Sequence, residues 1–160
     1  MKVLSAVSIA LLFAVLLSTA NKLTSPAIDK NKKAYEGRQL TEMIGGRELR
    51  VSGQSYKIFE SGQLFGYVKA TSTRHGYNGD IHLLIAYDLS GQVLAVRVTG
   101  HRETPGLGDA IEGKWIETFT GKRAASTIWA LSPEGDFDGI TGATITSRAL
   151  INAVAEVLNP

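Results

Sequence analysis

Four runs of strand-forming residues, joined in pairs by short connections that contain glycine, constrain the fold of this chain most strongly. The runs are Tyr56–Glu60, Leu64–Thr71, Ile81–Tyr87 and Val93–Thr99. Ser61-Gly62 lies between the first two runs, and Ser90-Gly91 lies between the last two. Connections this short favour antiparallel hairpins. The pattern therefore predicts a twisted antiparallel sheet of four or more strands.

Two amphipathic segments follow the predicted sheet. The first is Asp109–Phe119, which carries apolar residues at helical spacing: Ile111, Trp115, Ile116 and Phe119. The second is Ser147–Leu158, and its apolar stripe consists of Leu150, Ile151, Val154, Val157 and Leu158. Helices that cover one face of an antiparallel sheet give an α+β domain, and this is the fold class that we predict.

The amino-terminal segment has a different character from the rest. Val3–Ala20 is an uncharged run of eighteen residues, which is just long enough to cross a bilayer. A cleavable secretory signal is the alternative, because Ser18-Thr19-Ala20 offers small residues for cleavage, but the run is longer than the apolar region usual in signals. We therefore predict that one transmembrane helix precedes the α+β domain. The predicted parts are a transmembrane anchor or signal segment over residues 1–21, a polar and partly helical linker over residues 22–53, and a globular domain over residues 54–160.

Charge is concentrated near the amino terminus. Six basic and two acidic residues lie within residues 1–38, so the rest of the chain carries a net charge of −2 although the whole chain carries +2. The globular part has no basic stripe with interleaved aromatic residues, and we therefore expect no nucleic-acid partner. The lysines that follow the apolar run do not favour export of the carboxyl-terminal part by the positive-inside rule.

Several kinds of cofactor site are disfavoured by the residues present. The chain has no cysteine, so it cannot hold an iron–sulfur cluster or a c-type haem through thiols. Its three histidines are isolated and show no metal-ligand spacing, and we predict no metal site. Gly108-x-x-x-x-Gly113-Lys114 resembles a phosphate-binding loop, but Trp115 stands where a serine or threonine must bind magnesium.

Residues 138–147 place four hydroxyl side chains and two glycines at the start of the second amphipathic segment. The first N–H groups of a helix lack intrahelical partners, and the helix dipole makes this end positive, so an anionic group is stabilised there. Threonine and serine at this position are also typical of an ordinary helix cap. From the residues alone, the segment is either a phosphate site or a cap.

Two sequence blocks resemble a known family. Asp138-x-x-Thr141-Gly142-Ala143-Thr144 resembles the flavinylation motif in which the last threonine carries FMN through a phosphoester bond. Residues 76–81 and 103–109 resemble the G subunit of the Rnf electron-transport complex. The resemblance covers about residues 64–158 and implies that residues 54–160 form an FMN-binding domain. It implies covalent FMN on Thr144, with Thr141, Gly142 and Ala143 beside it.

The same resemblance implies that a loop forms the opposite wall of the flavin site. The loop is Glu103-Thr104-Pro105-Gly106-Leu107-Gly108. Thr104 can hydrogen-bond the edge of the ring, Leu107 can cover a face, and Glu103 can accept from a ring N–H. Gly106 permits the backbone to approach the cofactor closely, because glycine has no side chain. Lys114 can neutralise flavin charge, although a surface lysine is the simpler interpretation. The alternative for the loop is a Pro-Gly turn before a helix.

The resemblance implies a membrane-tethered electron carrier of an Rnf-type ion-translocating complex. This would be a redox subunit rather than a stand-alone catalyst, and no catalytic residue is assigned. Its implied place is the bacterial inner membrane, with the flavin domain on the extracytoplasmic side. Its implied partners are the other subunits and a flavin transferase that uses FAD. Two alternatives stay open: a compact flavinylated carrier of another extracytoplasmic chain, and a non-redox structural module anchored in the membrane.

Overall fold

The computed structural model describes residues 11–26, 40–52, 55–106 and 108–159. The chain divides into two compact units, Met1–Leu40 and Thr41–Pro160. In the first unit residues 11–26 are helical, whereas residues 3–10 of the predicted apolar run and residues 27–39 of the predicted linker lie outside the described residues. Within the described ranges, no helix has the length and apolar character needed to cross a membrane.

The second unit contains a five-stranded antiparallel sheet in which every strand pairs with the next one in the chain. The strands are β1 (Glu48–Ser52), β2 (Ser55–Glu60), β3 (Gln63–Gly76), β4 (Gly79–Asp88) and β5 (Val93–Gly100). The predicted antiparallel sheet is confirmed. Strand β1 falls in the range that we interpreted as linker. Its sequence is short and charged, as is common for strands at the edge of a sheet, and it therefore lacks the pattern of a strand.

The hairpin of β3 and β4 is longer than the sequence pattern indicates. We predicted that this strand ends at Thr71, but β3 continues to Gly76, and Gly76 pairs with Gly79 across a turn at Tyr77-Asn78. The additional residues are mostly polar and exposed, so they lack the apolar alternation on which the prediction depended. The extension places the β3–β4 turn at the functional site described below.

The turn between β4 and β5 is held by an ionised carboxylate. Asp88 Oδ1 accepts hydrogen bonds from Ser90 N, Ser90 Oγ and Gln92 N, each at 2.7 or 2.8 Å. Burial raises the pKa of the Asp88 carboxyl group, but these hydrogen bonds and the nearby Arg123 outweigh it and lower the pKa below its usual range. This turn is the predicted connection between the last two strands.

The first predicted helix is interrupted. Helix α1 (Gly108–Glu112) ends before Gly113, which has an extended conformation with φ −90° and ψ −152°, and a 3-10 helix (Lys114–Phe119) follows. A single helix over Asp109–Phe119 was therefore wrong. The periodicity was misleading because Ile111, Ile116 and Phe119 are all buried although they belong to two separate helices. The second predicted helix is confirmed as α2 (Thr144–Leu158), which begins three residues earlier than predicted.

The core lies between one face of the sheet and helix α2. Ile81, Leu83 and Ile85 of β4 are buried, and they pack in one cluster with apolar side chains of α2. The α2 members of the cluster are Leu150, Ile151, Ala153, Val154 and Val157. Burial of each large aliphatic side chain contributes roughly 1.5–3 kcal/mol. The α+β prediction is confirmed, and the packing fixes the start of α2 relative to the sheet.

An aromatic cluster holds the segment that precedes α2. Phe119 lies 5.4 Å from Trp115 and 5.0 Å from Phe137 between ring centroids, and Trp129 stacks on Phe137 at 5.4 Å. Trp115 Nε1 donates a 2.6 Å hydrogen bond to the backbone oxygen of Asp138. The 3-10 helix thereby positions the hydroxyl-rich residues at the start of α2.

Candidate functional site

Thr144 is the first residue of helix α2, and its side chain is exposed. Ala143 precedes it and supplies no side-chain hydrogen bond to cap the helix. No described residue accepts a hydrogen bond from the N–H groups of Thr144, Ile145 and Thr146. The next N–H group along the helix is paired, because Ser147 N donates to Ala143 O at 2.9 Å. An anion beside Thr144 therefore lies at unpaired N–H groups and at the positive end of the helix dipole.

Ser147, rather than Asp138, stabilises the turn before the helix. Ser147 Oγ accepts from Ile140 N at 3.1 Å and donates to Ala143 O at 3.0 Å. Asp138, the first residue of the motif, has an exposed side chain, and its backbone oxygen accepts the hydrogen bond from Trp115 Nε1. Because the cap is made by a buried residue inside the helix, the Thr144 hydroxyl is left free.

The residues between Asp138 and Thr144 form an exposed turn. Thr141 and Gly142 are exposed, and Ala143 is buried. Gly142 has φ +80°, in the left-handed region that side chains rarely adopt. The glycine of this motif is therefore required by the backbone, which turns sharply to present Thr144 at the helix start.

Glu103 connects the predicted loop to the helix. Its carboxylate is buried, with 7% of the residue exposed. One oxygen accepts from the Thr146 hydroxyl at 2.8 Å, and the other accepts from the backbone N–H of Asn78 at 3.1 Å. The structure therefore brings the loop, the β3–β4 turn and the start of α2 together through the Glu103 carboxylate.

The remaining predicted residues occupy the rim of the site or lie outside the described residues. Thr104 is exposed, and its hydroxyl accepts from Asn78 Nδ2 at 3.1 Å. Gly106 is exposed with φ +91°. Lys114 is exposed at the start of the 3-10 helix and has no partner among the residues that the structure describes. Leu107 is the predicted residue that is not described.

Gly76→Ala should destabilise the protein because the turn has no space for a methyl group. A Cβ atom at residue 76 would collide with Gly79 O and would lie 2.6 Å from Glu103 Oε1. We expect the free energy of unfolding to fall by about 3 kcal/mol, which is at the upper end of overpacking effects. Urea unfolding measures this change. Gly100→Ala is the matched control, since its Cβ would lie 3.7 Å from the nearest atom, His82 Cδ2. Equal midpoints for the two variants would contradict the prediction.

The donors of the site match the phosphate end of a flavin mononucleotide. A phosphodiester that joins FMN to Thr144 would place its two non-bridging oxygens beside unpaired N–H groups. The exposed Thr144 side chain leaves the bulky remainder of such a nucleotide in open space. The site therefore fits FMN attached through phosphate.

The fold and the site define an α+β domain with an antiparallel sheet and an exposed threonine at the start of its last helix. The model of the FMN-binding domain family matches residues 76–159, and the chain belongs to this family. The resemblance inferred from residues 76–81, 103–109 and 138–144 is thereby confirmed.

Three bacterial relatives support the same assignment, and each is the G subunit of an ion-translocating oxidoreductase complex. The chain is 54% identical over 86 residues to the Photorhabdus laumondii protein, which covers 49% of this chain and 41% of that protein. It is likewise 54% identical over 86 residues to the protein from Escherichia coli strain K12, covering 49% of this chain and 42% of that protein. The Haemophilus influenzae protein is 44% identical over 104 residues, covering 61% and 50%. The chain thus spans half or less of the length of these relatives.

Three residues of the site were missed as functional residues. Asn78, Thr146 and His101 make hydrogen bonds to Glu103 or Thr104, but they come from three different elements. Asn78 lies in the block that resembles the Rnf G subunit, and Thr146 is one of the four hydroxyl residues within 138–147. Their contacts with Glu103, and that of His101, carried no signal in the sequence, because these contacts depend on the tertiary fold.

Proposed function

We propose that the chain carries FMN joined covalently to Thr144 and that it acts as an electron carrier. The observation that supports this most directly is an exposed threonine hydroxyl at a helix start with three unpaired N–H groups. The flavin supplies the redox chemistry when it is bound. The residues of the chain hold the phosphate, orient the group and limit solvent access.

Attachment requires a separate flavin transferase with FAD as the donor. The Thr144 hydroxyl oxygen forms a bond to the phosphorus of the FMN half. The pyrophosphate P–O bond of FAD breaks, AMP leaves, and the hydroxyl proton passes to a base or to solvent. The three N–H groups then stabilise the diester charge.

The loop residues are proposed to act on the ring end of the cofactor. Thr104 and Gly106 lie at the exposed rim, where a hydroxyl and close backbone approach serve the polar edge of a flat ring. Leu107 is proposed to cover one face. Lys114 is proposed to balance negative charge. Glu103 uses both oxygens within the protein, so its proposed contribution is to fix the position of this wall.

The proposed setting is a membrane-bound electron-transport complex. The relatives described above belong, by name, to an ion-translocating oxidoreductase complex. The uncharged sequence Val3–Ala20 supports a single-pass tether in the membrane. The proposed place of the domain, on the extracytoplasmic side of the bacterial inner membrane, rests on the resemblance to the Rnf G subunit. A tether raises the effective concentration of the carrier near its partner subunits.

A second candidate is a compact flavinylated carrier of another extracytoplasmic electron-transfer chain. The observation that favours it is that the match to the Photorhabdus relative is confined to 86 residues, which make up 49% of this chain. The two candidates share the cofactor and differ in the partners. Co-purification of the full chain from its native membrane would distinguish them, because the first predicts that several other proteins of the complex accompany it.

Co-expression of the full chain with a flavin transferase tests the common proposal. We expect flavin fluorescence that persists on the denatured polypeptide and an intact mass increased by one FMN less one water. The transferase must label a known acceptor protein in the same cells as a control. An unmodified mass under these conditions would refute covalent attachment and would leave the structural-module alternative.

A further inference from the structure

His101 lies between the loop that contains Glu103 and helix α1, and contacts both. Its Nδ1 atom accepts a hydrogen bond from the backbone N–H of Glu103 at 3.1 Å. Its Nε2 atom lies 3.2 Å from Oε1 of Glu112 in helix α1. The imidazole is mostly shielded, with 17% of its side chain exposed, whereas the Glu112 side chain is 53% exposed.

These contacts select one tautomer of the imidazole. Nδ1 must present a lone pair to the Glu103 N–H, so the neutral ring carries its proton on Nε2. The carboxylate of Glu112 stands beside Nε2 and favours a proton there. The ring is therefore held in one orientation by the Glu103 N–H group at Nδ1 and by the Glu112 carboxylate at Nε2.

The contacts continue from His101 through Glu103 to the attachment helix. The Glu103 backbone is fixed by His101, and the Glu103 carboxylate binds the Thr146 hydroxyl and the Asn78 backbone N–H. Asn78 in turn donates to Thr104. A displacement at His101 would thus move the Thr104 wall relative to the start of α2.

We infer that His101 is a positioning residue of the flavin site, which fixes the loop of residues 103–106 and thereby sets the reduction potential of the attached flavin. The inference rests on the proposed function. The physical reason is that hydroxyl and N–H donors on this loop stabilise the negative charge that reduction adds to the ring. Donors that are no longer held in place stabilise it less, so the reduced form becomes less favourable.

Two substitutions of similar size separate the role of Nδ1 from that of the rest of the ring. His101→Asn places an amide oxygen where Nδ1 stands and keeps an acceptor for Glu103 N–H. His101→Gln places its amide at the position of Nε2 and removes the acceptor next to Glu103. Glu112→Ala removes the carboxylate beside Nε2 and keeps the imidazole. It replaces His101→Gln in the measurements if that variant does not fold.

The first measurement needs no flavin. In the full chain expressed without a transferase, ¹⁵N NMR should show the His101 proton on Nε2. Amide exchange at Glu103 should accelerate about tenfold in His101→Gln, as expected for loss of one hydrogen bond, and stay near the wild-type rate in His101→Asn. A proton on Nδ1, or unchanged exchange in His101→Gln, would overturn the inference.

The second measurement uses the flavinylated full chain in a spectroelectrochemical titration. We expect the midpoint potential of His101→Gln to move to more negative values, with a change approaching tenfold in the redox equilibrium, equivalent to about 59 mV for one electron. His101→Asn should remain near wild type, and Glu112→Ala should shift in the direction of His101→Gln by a smaller amount. Unchanged potentials in labelled His101→Gln and Glu112→Ala overturn the inference and leave the proposed function intact. Wild-type protein that takes up no flavin refutes the proposed function itself.

Discussion

Thr144→Ala should abolish covalent incorporation of flavin when the full chain is co-expressed with a flavin transferase. The substitution removes the oxygen that would bind phosphorus and leaves the helix start otherwise intact. The Thr144 side chain is exposed and makes no described hydrogen bond, so the free energy of unfolding should change by no more than about 0.5 kcal/mol. Fluorescence of the denatured polypeptide and its intact mass measure the loss.

Thr141→Ala is the matched control for this prediction. Thr141 is also an exposed threonine of the same motif, but it precedes the helix and lies in the turn at Gly142. We expect Thr141→Ala to keep the label, and Thr144→Ser to restore at least part of it by returning a hydroxyl. If Thr144→Ala still carries the label, the attachment is at another hydroxyl. If in addition Thr141→Ala loses the label, that hydroxyl belongs to Thr141.

The sheet was predictable because its information is local. Ser61-Gly62 and Ser90-Gly91 lie in tight turns between paired strands, and short connections of this type restrict the pairing to neighbours in sequence. Strand β1 and the polar end of β3 escaped prediction for the opposite reason. Their residues are largely exposed, so backbone hydrogen bonds rather than an apolar pattern define them.

The interruption at Gly113 shows where periodicity is insufficient. Apolar residues at helical spacing predicted one helix over Asp109–Phe119, and the core does take up Ile111 and Phe119. A glycine lowers helix stability by about 1 kcal/mol, and here the chain becomes extended and continues as a 3-10 helix. Burial of the same side chains is compatible with both backbones, so the pattern alone could not distinguish them.

The site was predictable where a motif carries it and unpredictable where it depends on long-range contacts. Thr144 and its turn lie within seven consecutive residues, and the helix start follows from them. The Glu103 carboxylate meets Thr146, which is 43 residues away, and Asn78, which is 25 residues away. Sequence reasoning assigned Glu103 to the ring of the cofactor, and nothing in its local sequence indicates that its oxygens are engaged inside the protein.

Glu103→Ala should produce the largest loss of stability among single substitutions at the site. It leaves the Thr146 hydroxyl, in a residue only 2% exposed, and the Asn78 N–H without their acceptor. Hydrogen bonds to charged groups are worth about 1.5–3 kcal/mol each, so we expect a loss of at least about 3 kcal/mol. Urea unfolding of the flavin-free full chain, followed by tryptophan fluorescence, measures it, with a constant m-value as the test that the comparison is valid.

Glu103→Gln separates the hydrogen bonds from the charge. Its amide oxygen can accept from Asn78 N–H and its NH₂ group can donate to the Thr146 oxygen, because a hydroxyl is both donor and acceptor. We therefore expect Glu103→Gln to keep most of the stability. Glu134→Ala, which removes an exposed carboxylate without a partner in the described part of the chain, should be close to wild type. If Glu103→Gln were as unstable as Glu103→Ala, the negative charge rather than the paired donors would hold the loop against the helix, and the loop would then contribute a fixed negative charge beside the flavin.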